Sequence, residues 1–335
     1  MSGQPFSYPL RPGKFVDRGL FVELLQYVDR GLAIRDAAYI GFGGPCMEDH
    51  RVIHAAIGLK RMISLEKNAD VFAQQQFNRP LREIVCVNRD AKDFVDEFEL
   101  HLKRAKVTSA MRRIMWFDYQ APGELMHQLQ TLQALIDLAN DGDIVRVTLN
   151  VHAGSLGGHR ERETEAQLQK RRMAVLRNRF GDFLPDDLPL SATQNAHYPD
   201  AVLEALKLAV LRATGKTGRT FLPLLLVRYA DGQPMLTATG IVLADSDVES
   251  FLARTGLRKW PYFAAGWSNV EMVFKAPYLT MRERMHMDQA VLQSAKKLPA
   301  KLEYLARLQD RTADELAGLY RRYQRFFPRF QHVDM

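Results

Sequence analysis

A chain of 335 residues, 47% hydrophobic and 25% charged, has an ordinary globular composition and is long enough for one large α/β domain or two smaller ones. Disordered and collagen-like classes are excluded, and the longest apolar runs, such as Phe221 to Val227, fall far short of the ~20 residues that cross a bilayer. A net charge of +7 favours encounter with polyanions, although 39 acidic residues keep the surface mixed.

The opening stretch, Met1 to Arg18, has no apolar core of the kind a signal peptide carries, and only two cysteines are present, Cys46 and Cys86. Together they predict a reduced, cytoplasmic protein with no membrane partner. Within that stretch, Lys14 and Arg18 (RPGKFVDR) read either as solvating the first helix or as part of a lid over a ligand. Gly19 to Tyr27 is helical by its apolar spacing, and Ala37 to Gly41 is a short buried strand that breaks at the glycines of GFGGP. Asp49 to Gly58 carries Val52, Ile53, Ala56 and Ile57 on one helical face.

Arg61 to Glu66 predicts a second strand, Ala69 to Phe77 its helix and Glu83 to Val87 a third strand. Arg113 to Asp118 is a fourth strand, Gly123 to Ala139 an amphipathic helix, and Asp143 to Val151 a fifth strand. Strands alternating with helices imply a parallel sheet with crossover connections. Gly154 to Pro199 then reads as an insertion, basic through Gln167 to Phe180 and loop-like through LPDDLPL. After a helix over Asp200 to Thr214, two strands, Phe221 to Tyr229 and Met235 to Leu243, flank the turn pair Asp231-Gly232. Helical stretches at Thr280 to Leu292 and at the C-terminal LYRRYQRFFPRF complete the chain. The predicted fold is α/β: a doubly wound, mostly parallel sheet with a terminal antiparallel hairpin, a helical insertion and a C-terminal extension. Its expected parts are a helical segment over 1–36, a Rossmann-like domain over 37–250 with the insertion at 154–199, and the extension over 251–335.

Doubly wound sheets hold ligands outside the carboxyl ends of their strands, where strand order reverses, so the residues just after each strand carry the information. After the first strand come Gly41, Gly43 and Gly44, which let backbone approach a ligand closely. Glu66 ends the second strand, where an acid binds ribose hydroxyls or, on the plainer reading, caps the next helix. Asp90 and Ala91 follow the third strand, placing a carboxylate for an adenine amino group or a turn. Asp118 and Tyr119 follow the fourth, at the reacting centre or as buried turn and core residues. His152 follows the fifth as a proton acceptor or a structural histidine.

Those positions, in that order and spacing, resemble the class I S-adenosylmethionine-dependent methyltransferase family over about residues 37 to 243. The resemblance implies S-adenosylmethionine as cofactor, with Gly41 and Gly43 beside its methionine, Glu66 on its ribose, Asp90 at its adenine and Asp118 at the catalytic rim. It further implies methyl transfer to an oxygen or nitrogen of an acceptor. The family's pattern has an acidic residue where Tyr39 stands and a third glycine where Pro45 stands. These departures support a second reading, a catalytically silent Rossmann-fold subunit that binds nucleic acid or a partner protein. A dehydrogenase shares the glycine loop and the ribose acid, but in GFGGPC Cys46 or Met47 falls where G-x-G-x-x-G needs its last glycine.

Lys170, Arg171, Arg172, Arg177 and Arg179 form a basic helical stretch that would hold nucleic-acid phosphates or would simply face solvent. The same two readings apply to Arg321, Arg322, Arg325 and Arg329, interleaved with Tyr320, Tyr323, Phe326 and Phe327. Gly215-Lys216-Thr217 lacks the first glycine and the preceding strand of a phosphate loop, and no cysteine or histidine spacing predicts a metal site.

Overall fold

The structure is a computed structural model that describes residues 11–215, 217–272, 279–292 and 298–327. Lys216 and Arg329 lie outside the described residues. In chain order the elements are α1 (Pro12–Leu32), β1 (Ala38–Phe42), α2 (Glu48–Ile57), β2 (Arg61–Leu65), α3 (Ala69–Asn78) and β3 (Val85–Val87), then α4 (Ala91–Asp96), α5 (Phe98–Arg104), β4 (Arg113–Asp118), α6 (Leu125–Asp137) and β5 (Ile144–Asn150). There follow α7 (Glu165–Phe180), α8 (Tyr198–Thr214), β6 (Arg219–Ala230), β7 (Pro234–Ala244), α9 (Val248–Thr255), β8 (Val270–Met272), α10 (Met281–Leu292), α11 (Glu303–Arg307) and α12 (Ala313–Tyr323).

Among the described residues the strands form one sheet in the order β3-β2-β1-β4-β5-β7-β6-β8. β1 to β5 run parallel, and β7 is antiparallel to both β5 and β6, with which it forms the expected hairpin at Asp231-Gly232. The predicted doubly wound, mostly parallel α/β fold is therefore present. Its sheet gains one strand that the sequence did not reveal: β8, three residues long, pairs parallel with β6. A three-residue Val-Glu-Met strand is too short to show a period of two. The helices α4 and α5 were likewise unread, each being under two turns long.

Side chains along a strand alternate between faces, and here both faces are covered. Met115 and Phe117 of β4, with Val145, Val147 and Leu149 of β5, enter the core under α4 to α8. Ile114 and Trp116 of β4 face the other way, into a core shared with α1, α9 and the C-terminal helices. Asp118, two residues beyond Trp116, belongs to this second face, towards α1.

The first helix differs most from its sequence reading. It begins at Pro12 and ends at Leu32, well beyond Gly19 to Tyr27, because Lys14, Asp17 and Arg18 interrupt the apolar spacing and yet are buried. They are paired across the interface with the sheet. Arg18 Nε lies 2.7 Å from Asp49 Oδ1. Asp17 and Arg146 are both fully buried, 2.6 Å apart, and Arg146 also donates to Thr239 Oγ1 at 2.5 Å. The Arg146 guanidinium sits 4.4 Å from the ring centroids of both Phe21 and Trp116. Neither Lys14 nor Arg18 is the solvated residue that its charge suggests.

His50 of α2 is fully buried beside this layer, edge-on to Tyr39 and with Nε2 3.2 Å from the Ile63 carbonyl oxygen, to which the neutral ring donates. Burial drives its pKa down to about 4, outweighing the opposing pull of that hydrogen bond and of Asp49. An unfolded histidine titrates near 6.5, so the unfolded chain binds the proton first on acidification. Stability from this group is complete above pH 6.5 and is lost as pH falls towards 4, by up to about 3 kcal/mol. Urea midpoints across that window should fall with pH in the wild type and flatten in His50→Gln, whereas equal slopes would show that other groups govern acid lability.

No helix among the described residues is long and apolar enough to cross a membrane.

Candidate active site

Strand order turns between β1 and β4, which opens a crevice at the carboxyl ends of the sheet. A cavity of about 610 Å³ occupies it, within the usual size range of small-molecule sites. Of the residues singled out from the sequence, Gly44, Glu66, Asp90, Ala91, Asp118 and Tyr119 all line this cavity, although they come from the ends of four different strands.

The glycine loop divides by role. Gly44 has φ +54 and an open space where a Cβ would stand, so it is the glycine that faces the cavity. Gly43 and Gly41 are not among the lining residues, and packing explains them. A Cβ on Gly43 would lie 2.3 Å from Ser64 Oγ, which donates to Gln75 Oε1 in a fully buried pair. A Cβ on Gly41 would meet the Tyr39 hydroxyl at 2.8 Å and the Trp116 carbonyl oxygen at 2.9 Å. Asn78 holds the loop from outside by donating to the Pro45 carbonyl at 2.8 Å.

Glu66 has one oxygen engaged locally, Oε1 accepting from Asn68 N at 2.8 Å, just before α3. Asn68 itself is the cap of α3, accepting from the amides of Asp70 and Val71. Asp90 caps α4 by accepting from Asp93 N at 2.8 Å. Asp90 thus caps α4, while Glu66 braces the residue that caps α3 without capping the helix itself, and both acids line the cavity. Asn88 ties the ends of β2 and β3 together by donating to the Glu66 carbonyl at 2.7 Å.

Asp118 accepts from Lys14 Nζ at 2.5 Å, with both side chains almost wholly buried. Tyr119 packs edge-on to Phe42, and burial raises its hydroxyl pKa far above the ordinary value, beside Thr131. It remains neutral at any physiological pH and supplies a wall rather than a phenolate base. His152 does not line the cavity. Its backbone N–H donates to Asn150 Oδ1, and its ring folds back under Gly154, where an added Cβ would come within 2.7 Å of Nε2.

Sequence reasoning missed the opposite wall. His127, Gln128 and Thr131 of α6 line the cavity together with Pro122 and Glu124 just before that helix. The available signal was the pair Gln128 and Thr131 on the buried side of an otherwise apolar helix face. At the mouth, Lys67 and Glu124 approach within 3.9 Å. The other cations of the rim have acidic partners too, Arg89 with Glu97 and Lys92 with Asp96.

The basic helix α7 spends most of its charge inside the insertion. Arg171 makes a two-pronged pair with Glu163, and Arg172 donates to the Gly157 carbonyl. Arg177 donates to the Asp186 carbonyl, and Arg179 to Ser155 O and Oγ. Lys170 is exposed. At the other basic stretch, Tyr320 and Tyr323 are buried and Arg322 pairs with Glu271 at 2.6 Å.

The donor set fits S-adenosylmethionine. Carboxylates at Glu66 and Asp90 alternate with the apolar surfaces of Phe42, Leu65, Ala91 and Pro122, which suits a nucleoside, and the Lys14-paired Asp118 stands at the other end.

A family model described as "Putative O-methyltransferase" matches residues 6–335. No protein of curated function matches the chain. Among solved structures it is similar to the plantazolicin methyltransferase BpumL in complex with SAH, at 9% identity over 68% of this chain and 84% of that one, with a TM-score of 0.39. It is also similar to the N-methyltransferase NodS from Bradyrhizobium japonicum WM9, at 10% identity, 68% and 97% coverage and a TM-score of 0.35. Cofactor-bound Rv0187 from MTB matches at 14% identity, 71% and 90% coverage and a TM-score of 0.36.

Proposed function

The chain belongs to this O-methyltransferase family, as a divergent class I member, and on that footing we propose that it methylates an oxygen of its acceptor, using S-adenosylmethionine bound in the crevice at the strand ends. The observation that carries the reading is the single cavity that gathers Gly44, Glu66, Asp90, Ala91, Asp118 and Tyr119. The cofactor supplies an electrophilic methyl group on a sulfonium sulfur.

The residues of the chain divide the remaining work. Glu66, with one oxygen held by Asn68, receives ribose hydroxyls on the other. Asp90 and Ala91 face the adenine edge, with Leu65 and Pro122 as apolar walls. Asp118 lies at the reacting end, where its carboxylate orients the acceptor hydroxyl, accepts a hydrogen bond from it and receives its proton as the oxygen is methylated. Methyl transfer of this kind depends mainly on alignment of the reacting atoms, which fixed walls such as Tyr119 and Phe42 provide.

Titration calorimetry with S-adenosylmethionine and its demethylated product tests this reading. Both should bind the wild type, and Glu66→Ala should weaken both by about 1–3 kcal/mol, because it leaves the ribose hydroxyls unpaired. Absence of binding by the wild type, or equal affinity in the variant, would remove the cofactor from this placement.

A further inference from the structure

The acid at the reacting end is tied to a helix that lies outside the strand-end motifs. On β4, Asp118 continues the row of Ile114 and Trp116 towards α1, and the residue of α1 that meets it is Lys14, 2.5 Å away and 4.8 Å from the Trp116 ring centroid. Arg11, at the cap position of α1, makes no side-chain hydrogen bond to the first turn. Asp231, in the turn between β6 and β7, takes that role by accepting from Gly13 N at 2.9 Å and Lys14 N at 2.7 Å. The start of α1 is thereby clasped to the carboxyl end of the sheet and the Lys14 side chain is aimed at Asp118. Among the described residues three buried cation–anion pairs join α1 to the body, and within each the charges balance: Lys14–Asp118, Arg18–Asp49 and Asp17–Arg146. Of these six residues Asp118 is the one that lines the cavity.

The ligand changes charge at that point in the reaction. S-adenosylmethionine carries a sulfonium cation, and its demethylated product carries a neutral thioether. A bare carboxylate beside the sulfur would favour the charged form, and a bare ammonium would favour the neutral one.

We propose that Lys14 compensates the charge of Asp118, so that the reacting end of the cavity binds the cationic cofactor and its neutral product with similar affinity while the carboxylate stays fixed for the acceptor. Lys14 acts through its charge and its hold on Asp118, without lining the cavity. The inference rests on the cofactor placement proposed above.

The test is the ratio of S-adenosylmethionine affinity to product affinity, measured by calorimetry at low ionic strength. A change in fold or packing moves both affinities together and leaves the ratio alone. Lys14→Met should raise the ratio at least about fivefold, and Asp118→Asn, which leaves the Lys14 charge uncompensated behind the reacting end of the cavity, should lower it by a similar factor. The double variant should return to within about twofold of the wild type, and Lys14→Arg should match the wild type. Should Lys14→Met fail to fold, the fall in Asp118→Asn and its reversal in the double variant still decide the matter. A ratio that stays constant through the series, in proteins that bind both ligands, overturns the role of Lys14 alone. A wild type that binds neither ligand overturns the cofactor placement together with it.

Discussion

Asp17→Ala is expected to destabilise the protein by about 3–5 kcal/mol, the usual cost of stranding one member of a buried ion pair. The partner left behind, Arg146, is fully buried on β5 between the rings of Phe21 and Trp116, and Thr239 alone cannot compensate a guanidinium there. Because Asp17 sits on α1 and Arg146 in the middle of the sheet, the loss should also loosen the whole helix. Denaturant unfolding of the variant measures the loss, and the double variant Asp17→Leu/Arg146→Met separates charge from packing. If the double variant recovers most of the stability, the single variant's cost is that of an unpaired charge. If Asp17→Ala itself falls by less than about 1 kcal/mol, water reaches Arg146 and the interface is looser than the structure indicates.

The same interface marks where the sequence stopped being legible. The central strands could be read because parallel strands covered on both faces are short apolar runs, and Arg61–Leu65 and Arg113–Asp118 are found where the runs fall. Of the positions singled out at the strand ends, six line one cavity, because a doubly wound sheet opens a crevice where its strand order reverses. The partners of α1 could not be read. Lys14, Asp17 and Arg18 look like a solvated turn, and only the tertiary structure supplies Asp118, Arg146 and Asp49 as their counter-charges. The glycines misled in a related way. Gly41 and Gly43 suggested close approach to a ligand, and close approach is indeed what they permit, but to Tyr39 and Ser64 rather than to the cavity. His152 followed a strand as the others did, yet its loop turns the ring back on Gly154. The α6 wall was hidden because helix periodicity identifies the buried face without saying that part of it borders a cavity.

Asp118→Asn is expected to lower methyl transfer at least tenfold at saturating cofactor, about 1.4 kcal/mol of transition-state stabilisation. The amide keeps the size of the side chain and can still accept from Lys14 through Oδ1, but it is a weaker acceptor for the hydroxyl that must be aligned with the methyl group. The effect should therefore appear in turnover once an acceptor has been found by screening hydroxyl compounds with methyl-labelled cofactor. Thermal denaturation of the same variant controls for the altered Lys14 contact. Unchanged turnover would place Asp118 outside the reacting geometry and leave it as a partner for α1 only.

The central claim is the placement of the cofactor across the ends of β1 to β4, and a crystal structure with the demethylated product bound tests it most directly. The account predicts the adenine beside Asp90 and Ala91, the ribose hydroxyls on Glu66, and the sulfur at the Gly44 and Asp118 end of the cavity. Product bound elsewhere, or lying in this cavity in the reverse direction with its adenine against Asp118, would contradict it.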